Sequence, residues 1–247
     1  LMEEGGEIVG DDKTHRWIID PLDGTTNFLH SIPLFGISIA LERDGELVAG
    51  LIYNPVSDEL YTAEKGKGAF LNDKRLRVAA RKTLQDSVIS TGIPFRGRGG
   101  YERFNDETAP LMREVAGLRR TGAASIDLAW TAAGRFDGYW ERELSVWDLA
   151  AGVLLVKEAG GMVEGLRPGS DPMDGALIAA LPLVTVLARI WLHVENQPQA
   201  KIANHAWYTF WYVVPTLPMF VAFPALLGRI GFWPTLIASV VLTIVCF

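Results

Sequence analysis

Alternating apolar and polar positions predict a series of strands in the first third of the chain. Trp17–Ile19 is a short apolar run that suits a buried strand, and we expect it to stop at Pro21, which has no N–H to donate. Leu34–Glu42 alternates as a half-buried strand does. Asp44-Gly45 then predicts a hairpin turn into a second strand, Leu47–Tyr53. Further short strands are predicted at Glu59–Ala63, Ala69–Leu71 and Ser87–Thr91.

Helical spacing of apolar residues begins near residue 101. It predicts helices over Tyr101–Val115, Ala124–Ala133 and Trp147–Ala159, and Gly160-Gly161 suits a C-cap for the last of them. Shorter extended segments are predicted at Leu118–Arg120, Phe136–Trp140 and Met162–Glu164. Because antiparallel strands come first and helices and strands then alternate, the fold class predicted is a layered α/β arrangement.

Charged residues are distributed unevenly and divide the chain near Asp174. Residues 1–174 have the composition of a soluble domain, which ends in a predicted linker, Leu166–Asp174, rich in Gly, Pro and Asp. Only four charged residues follow, namely Arg189, Glu195, Lys201 and Arg229. Residues 175–247 therefore form a second, hydrophobic region.

Three apolar segments make up this second region: Gly175–Leu192, Ala206–Leu227 and Gly231–Phe247. A helix needs about 20 apolar residues to span a bilayer, so the middle segment is long enough and the outer two are marginal. The middle segment also opens with Trp and Tyr, as interfacial segments do. We predict membrane-type helices here, and the alternative is the buried helical core of a globular domain.

The overall composition limits the number of domains and the classes of function to be considered. The 247 residues suffice for one sizeable domain or two small ones. A net charge of −6 gives no electrostatic reason to expect nucleic-acid binding. The single cysteine, Cys246, excludes an internal disulfide.

The candidate chemistry is concentrated in Trp17–Asn27, where an apolar strand turns into a helix start. Asp20 and Asp23 flank the corner, and their carboxylates suit a hard cation such as Mg²⁺. Gly24, Thr25 and Thr26 then open a predicted helix start, whose free N–H groups suit a phosphate. The alternative is a plain Asp-Gly turn with capping threonines.

A second acid, Asp148, comes much later, where another helix is predicted to begin. Alone it would be interpreted as an N-cap. Together with Asp20, Asp23 and the upstream pair Glu3-Glu4, it could complete an oxygen cage for two or more Mg²⁺ ions that clamp a phosphate and acidify a water. This hypothesis requires the Asp148 side chain to lie close to those of Asp20 and Asp23.

Two motifs carry a family resemblance. Asp20–Asn27, which reads Asp-Pro-Leu-Asp-Gly-Thr-Thr-Asn, resembles the first signature of the inositol monophosphatase family, and Trp147–Gly152 followed by Glu158–Gly161 resembles the second. Glu3-Glu4 resembles the acidic pair that the family places upstream. The resemblance covers residues 1–174. It implies a layered αβαβα sandwich, commonly dimeric, and a Mg²⁺-dependent, Li⁺-sensitive phosphomonoesterase that uses a metal-activated water and forms no covalent intermediate.

The resemblance also implies roles for single residues. Two or three Mg²⁺ ions would be bound by Glu3, Asp20, Asp23, Asp148 and the Leu22 carbonyl. Asp23 would also contact substrate, the Gly24 and Thr25 N–H groups would hold phosphate, and Glu3 and the Thr25 hydroxyl would orient the attacking water. Glu141 would contact the inositol hydroxyls and Ala124 would line their pocket. From spacing alone, the preferred interpretation of Glu141 is an exposed charge at the end of a strand.

The chain departs from the family pattern in two places. The family has a pair of helices before Glu3-Glu4, which supply a lysine and an aspartate, and we expect them to be missing, so that the domain is incomplete. Beyond the second signature, Gly169–Ala180 begins like the family's continuation and departs at Leu181. From about Gly175 the chain resembles an uncharacterised family of small bacterial integral membrane proteins, which indicates a fusion of two partial coding regions.

Several functions stay open at this point. The first is a Mg²⁺-dependent phosphomonoesterase for inositol 1-phosphate or a similar polyol phosphate, with a cytoplasmic catalytic domain attached to the membrane by its C-terminal region. A rival within the same superfamily would act on histidinol phosphate, a nucleotide 3′-phosphate or fructose bisphosphate. The alternative from another class is an integral membrane protein that carries an inactive phosphatase remnant.

Overall fold

A computed structural model of the protein describes residues 1–180, except residues 96, 98 and 167–169. Within this part the chain forms four layers: a six-stranded sheet, a pair of helices, a five-stranded sheet and an outer helix. The strands are β1 (His15–Asp23), β2 (Gly36–Arg43), β3 (Glu46–Asn54), β4 (Glu59–Glu64), β5 (Gly68–Leu71), β6 (Lys74–Arg75), β7 (Val88–Thr91), β8 (Gly117–Arg119), β9 (Gly138–Glu141), β10 (Met162–Gly165) and β11 (Leu177–Ala180). The helices are α1 (Thr25–Leu29), α2 (Tyr101–Met112), α3 (Ala124–Ala132) and α4 (Val146–Glu158), with 3₁₀ turns at Leu84–Asp86 and Pro172–Asp174.

The first sheet is an antiparallel meander in the order β1 to β6. Its edge strand β1 does not stop at Pro21, as the sequence predicted, but continues to Asp23 through an irregularity in its pairing with β2 between Asp20 and Asp23. A proline is tolerated at an edge or a bulge because no ladder hydrogen bond is lost there. This irregularity turns the end of β1 towards α1.

The two central helices, α3 and α4, pack against the first sheet at short range. A Cβ at Gly50 on β3 would lie 3.1 Å from the Ala151 backbone, and one at Gly152 would lie 2.5 Å from the Leu128 side chain. Glycines at both contacts therefore let α4 approach the sheet and α3 closely. Asp148, in the first turn of α4, is held in place by this packing.

The second sheet has the order β10-β11-β9-β7-β8, with β8, β7 and β9 parallel and the other pairs antiparallel. Alternate residues of its strands face different layers, since Tyr139 and Ala179 belong to the core around α3 and α4. Trp140 and Ile178 pack with Leu111 of α2 on the other side. This alternation makes the second sheet an interior layer.

Most of the predicted elements are present, with ends that differ by a few residues. The first apolar segment, Gly175–Leu192, is an exception, because its residues 177–180 form strand β11 beside β9 instead of the start of a helix. The pairing of β11 with β9 and β10 places these residues in the second sheet. The rest of the predicted membrane-type region, residues 181–247, lies outside the described residues.

The described layers agree with an α/β sandwich. The further helical layer that an αβαβα arrangement requires outside the first sheet has no counterpart among the described residues. Of the helices in residues 1–180, none is long and apolar enough to cross a membrane. The membrane attachment of residues 175–247, the domain boundary at residue 174 and the dimer stay predictions.

Candidate active site

A cavity of about 240 Å³ opens where the ends of β1 and β9 meet the beginnings of α1, α3 and α4. Nearly all of its described charged residues are acids, and Arg120 is the only basic one among them. Every residue that the sequence predicted for the site lines it, namely Glu3, Asp20, Leu22, Asp23, Gly24, Thr25, Ala124, Glu141 and Asp148. The structure thus brings all of them together, while their individual roles stay predictions.

Three carboxylates form the centre of the acidic side of the cavity. One oxygen from each of Asp20, Asp23 and Asp148 lies within 4.8 Å of the others. Asp20 and Asp23 are buried and Asp148 is half-buried. The convergence of Asp148 with the β1 acids is therefore confirmed.

Asp148 also has a local structural role. It is the third residue of α4, and its carboxylate accepts a hydrogen bond from the Ser145 N–H at 2.7 Å, as in a capping box. The N-cap itself is Ser145, so the alternative interpretation of Asp148 as the N-cap is wrong, and Asp148 supports the cap from the third position of the helix. A carboxylate has two oxygens and several lone pairs, so capping does not prevent it from binding a cation.

The pKa values of the β1 acids reflect the crowding of negative charge. Burial first, and then the charges of Asp23 and Glu3, raise the pKa of Asp20 to about 8. Burial raises the pKa of Asp23 to about 6, against the lowering effect of its hydrogen bonds. A divalent cation bound beside Asp20 and Asp23 would compensate this negative charge.

Ser125 holds Asp23 in position. Its backbone N–H and its hydroxyl both donate to the same Asp23 oxygen, at 2.7 and 2.5 Å. These hydrogen bonds favour the ionised form and lower the pKa of Asp23 relative to burial alone. Sequence reasoning missed Ser125, although its place directly after Ala124, at the start of a predicted helix, was a signal for N–H groups that could hold an anion.

Glu3 reaches the cluster through backbone pairing with β1. Met2 forms a bridge with Ile19, and the Glu3 N–H donates to the Ile19 carbonyl at 3.2 Å. The residue after Ile19 is Asp20, so this pairing sets the two acids side by side, and the Glu3 charge raises the pKa of Asp20. Glu3 is itself exposed at the cavity mouth.

The corner after β1 leads directly into the start of a helix beside the cavity. Gly24 adopts a left-handed backbone with φ of 87°, which a glycine adopts without strain, and α1 begins at the next residue. The first N–H groups of a helix have no acceptor within it, so those that face the cavity can bind an anion. The Thr25 hydroxyl donates to the Leu22 carbonyl at 3.1 Å, which joins the two predicted site residues.

The opposite wall of the cavity is built around Glu141, the last residue of β9. Its side chain is half-buried and accepts a hydrogen bond from the Tyr139 hydroxyl at 2.6 Å, so it is not an exposed strand-end charge. Burial raises the pKa of Glu141 to about 7, and Arg120 opposes this effect. Ala124 lines the cavity at the start of α3.

The donor set fits a hard divalent cation. The converging ligand atoms are all carboxylate oxygens, which Mg²⁺ and Ca²⁺ prefer over nitrogen and sulfur ligands. Two of the three acids are buried with raised pKa values, which is unfavourable for the protein without a bound positive charge. The arrangement can therefore hold a metal ion beside the start of α1.

Comparison with known proteins agrees with this geometry. Residues 1–206 match the inositol monophosphatase family, and residues 169–247 match the BV97_02767-like family. The inositol-1-monophosphatase of Rhizobium meliloti is 60% identical over 178 residues, which cover 72% of this chain and 67% of that protein. Nus factor SuhB of Pseudomonas aeruginosa is 49% identical over 184 residues, covering 73% and 68% of the two chains.

A solved structure shows the same fold. The crystal structure of the extragenic suppressor protein SuhB from Bartonella henselae has a TM-score of 0.75 and 51% sequence identity, and the match covers 78% of this chain and 74% of that one. The second match, to residues 169–247, overlaps the first over residues 169–206. It marks a distinct C-terminal segment, for which a membrane location stays a prediction.

Proposed function

Because this chain belongs to the inositol monophosphatase family, a family of phosphatases, we propose that it is a Mg²⁺-dependent phosphomonoesterase for inositol 1-phosphate or a similar small polyol phosphate. The observation that carries this proposal is the meeting of Asp20, Asp23 and Asp148 beside the cavity that Glu141 lines. An acidic cluster alone would fit many functions that need a cation. Together with the N–H groups after β1 and the Glu141 carboxylate across the cavity, it suits a phosphate ester of a polyol.

The metal would be held by the acidic side of the cavity. Asp20, Asp23 and Asp148, with Glu3 and the Leu22 carbonyl, would bind two or three Mg²⁺ ions. When bound, such ions supply Lewis acidity to phosphate oxygens and make a coordinated water more acidic. Ser125 would keep Asp23 ionised and correctly oriented for this purpose.

The corner after β1 would bind the phosphate and direct the water. The Gly24 and Thr25 N–H groups would donate to phosphate oxygens, and Asp23 would also contact the substrate. Glu3 and the Thr25 hydroxyl would orient a water in line with the ester bond. Attack forms one P–O bond to the water oxygen and breaks the bond to the alcohol, which leaves with a proton, so no covalent enzyme intermediate is needed.

The alcohol part of the substrate would lie against the opposite wall. A carboxylate accepts hydrogen bonds from hydroxyl groups, and Glu141 presents one beside the small side chain of Ala124. Since the pKa of Glu141 is raised to about 7, its carboxylate form is available from neutral pH upwards. This wall would discriminate polyols from other alcohols.

The test is phosphate release from inositol 1-phosphate by the purified full chain. We expect release with Mg²⁺ and none with EDTA, and we expect faster release than from histidinol phosphate, a nucleotide 3′-phosphate or fructose 1,6-bisphosphate under the same conditions. Preference for one of these other esters would replace the polyol assignment. No release from any of them by a folded sample would contradict the proposal.

A further inference from the structure

We propose that Gly92 is a specificity-determining residue, because its missing side chain provides the space that the Glu141 carboxylate occupies in the cavity wall. This inference rests on the proposed function, in which Glu141 binds the hydroxyl groups of the substrate. Gly92 follows β7 directly, and neither the sequence motifs nor the acidic cluster includes it. It acts only through Glu141, as a positioning residue.

The space between the two residues is too small for a methyl group. A Cβ built on Gly92 would lie 1.7 Å from Glu141 Oε1, 1.8 Å from Cδ and 2.4 Å from Oε2. Real Cβ atoms essentially never come within 3.0 Å of another heavy atom in this way. Any other residue at position 92 therefore requires Glu141 or the backbone to move.

The backbone has little freedom to move. Gly92 comes after Thr91, which pairs with Trp140 in the parallel ladder of β7 and β9, and Glu141 comes after Trp140. The two residues are therefore neighbours across the end of an interior sheet. Thr91 and Trp140 are both buried, so a shift of either strand would disturb packing on both faces.

The Glu141 side chain is the part that would move. It is held in place by the Tyr139 hydroxyl at 2.6 Å, and Tyr139 is fully buried. Because one side of the carboxylate is the open cavity, a methyl at position 92 would push it in that direction and break this hydrogen bond. The size of the residue at position 92 thus determines whether the Glu141 carboxylate can occupy its place in the cavity wall.

Backbone strain is not part of the effect. Gly92 is not among the residues with positive φ, so alanine can adopt its backbone conformation. Gly24, by contrast, has a φ of 87° and would be strained by any substitution. The consequence of Gly92→Ala is therefore confined to the contact with Glu141.

The experiment compares Gly92→Ala, Glu141→Ala and the double variant on two esters, inositol 1-phosphate and p-nitrophenyl phosphate, which has no hydroxyl groups. We expect Gly92→Ala to lower the ratio of kcat/KM for the first ester to that for the second by roughly 10- to 100-fold, the range for hydrogen bonds to a charged group. The double variant should match Glu141→Ala, because the contact is then already absent. Gly10→Ala, with no atom within 4 Å of the added Cβ, is the matched control and should keep the wild-type ratio.

A crystal structure of Gly92→Ala provides a readout that does not depend on activity. Displacement of the Glu141 carboxylate from its position beside Tyr139 supports the inference, and a carboxylate that stays in place overturns it. If wild-type protein hydrolyses neither ester, the proposed function fails, while this structure still decides the role of Gly92. If Gly92→Ala does not fold, the double variant should fold, and its failure would overturn the inference.

Discussion

The two sides of the cavity differ in how they are assembled. The acidic side takes Asp20 and Asp23 from the end of β1 and Thr25 from the start of α1, and it adds Asp148 from the first turn of α4. The opposite wall takes single residues from the ends of β7 and β9 and from the start of α3. The first arrangement depends mainly on local backbone geometry, and the second depends on strand register.

They also differ in electrostatics. On the acidic side, Asp20 and Asp23 lie close together, and burial and the neighbouring acids raise their pKa values. The carboxylate of the opposite wall has a hydroxyl donor in Tyr139 and a guanidinium nearby in Arg120. This difference fits the proposed function, in which the acidic side would perform the chemistry and the opposite wall would select the substrate.

Asp20→Asn should have the largest effect. It removes a buried charge from the acidic side and keeps an oxygen to accept the Leu22 N–H, which donates to Asp20 at 2.9 Å. We expect kcat/KM to fall by roughly 10³-fold, the scale of a preorganised charged group in an active site. Steady-state phosphate release at saturating Mg²⁺ measures this loss.

The same variant separates chemistry from stability. Because the buried carboxylate is unfavourable without a cation, Asp20→Asn should unfold in EDTA at a temperature no lower than wild type. A large drop in unfolding temperature would mean that Asp20 serves the fold, and the loss of activity would then say nothing about the metal.

Ser125→Ala should have an intermediate effect on the acidic side. The variant loses the hydroxyl hydrogen bond to Asp23 and keeps the backbone one. We expect Mg²⁺ affinity to decrease by about 10- to 100-fold, as for other residues that orient a metal ligand. Measuring activity as a function of Mg²⁺ concentration gives this affinity. At high Mg²⁺ concentration the maximal rate of the variant should largely recover. An unchanged dependence of activity on Mg²⁺ concentration would mean that Ser125 does not contribute to metal binding.

The smallest effect is expected on the pH dependence of stability. Asp20 and Asp23 have raised pKa values in the folded state, so between about pH 4 and pH 8 the folded protein binds protons that the unfolded chain has released. The free energy of unfolding of the metal-free protein should therefore fall as pH rises, by about 1 kcal/mol or more between pH 5 and pH 8.

Urea unfolding in EDTA at the two pH values measures this change, and Asp20→Asn is the control, since it should reduce the pH dependence. Mg²⁺ binds the ionised folded form, so it should stabilise the protein more at pH 8 than at pH 5. A free energy of unfolding that rises from pH 5 to pH 8 in EDTA would contradict the raised pKa values.

Much of the fold followed from local patterns. The alternation in Leu34–Glu42 and Leu47–Tyr53 predicted β2 and β3, and the helical spacing after residue 146 predicted α4. The face of β2 that packs against the helices carries the small residues Gly36, Ser38 and Ala40, while the larger apolar side chains are half-buried. Alternation predicts two faces, but the close approach of α4 decided which of them is covered.

Errors in the sequence predictions arose where distant segments meet. Pro21 was expected to end β1, yet its place at the sheet edge lets the strand continue to Asp23. Leu177–Ala180 was assigned to an apolar helix, yet pairing with β9 makes it a strand. In each case the position of the segment in its sheet, which no local pattern describes, determined the outcome.

The sequence by itself determined that Asp20, Asp23, Gly24 and Thr25 come close together, because they are near neighbours along the chain and Gly24 allows the left-handed backbone between β1 and α1. It also placed Asp148 at the beginning of a helix. Only the tertiary structure decided that Asp148 reaches the corner and that Glu141 stands against Gly92. The physical reason is that helix packing and sheet register set distances between side chains that are far apart along the chain.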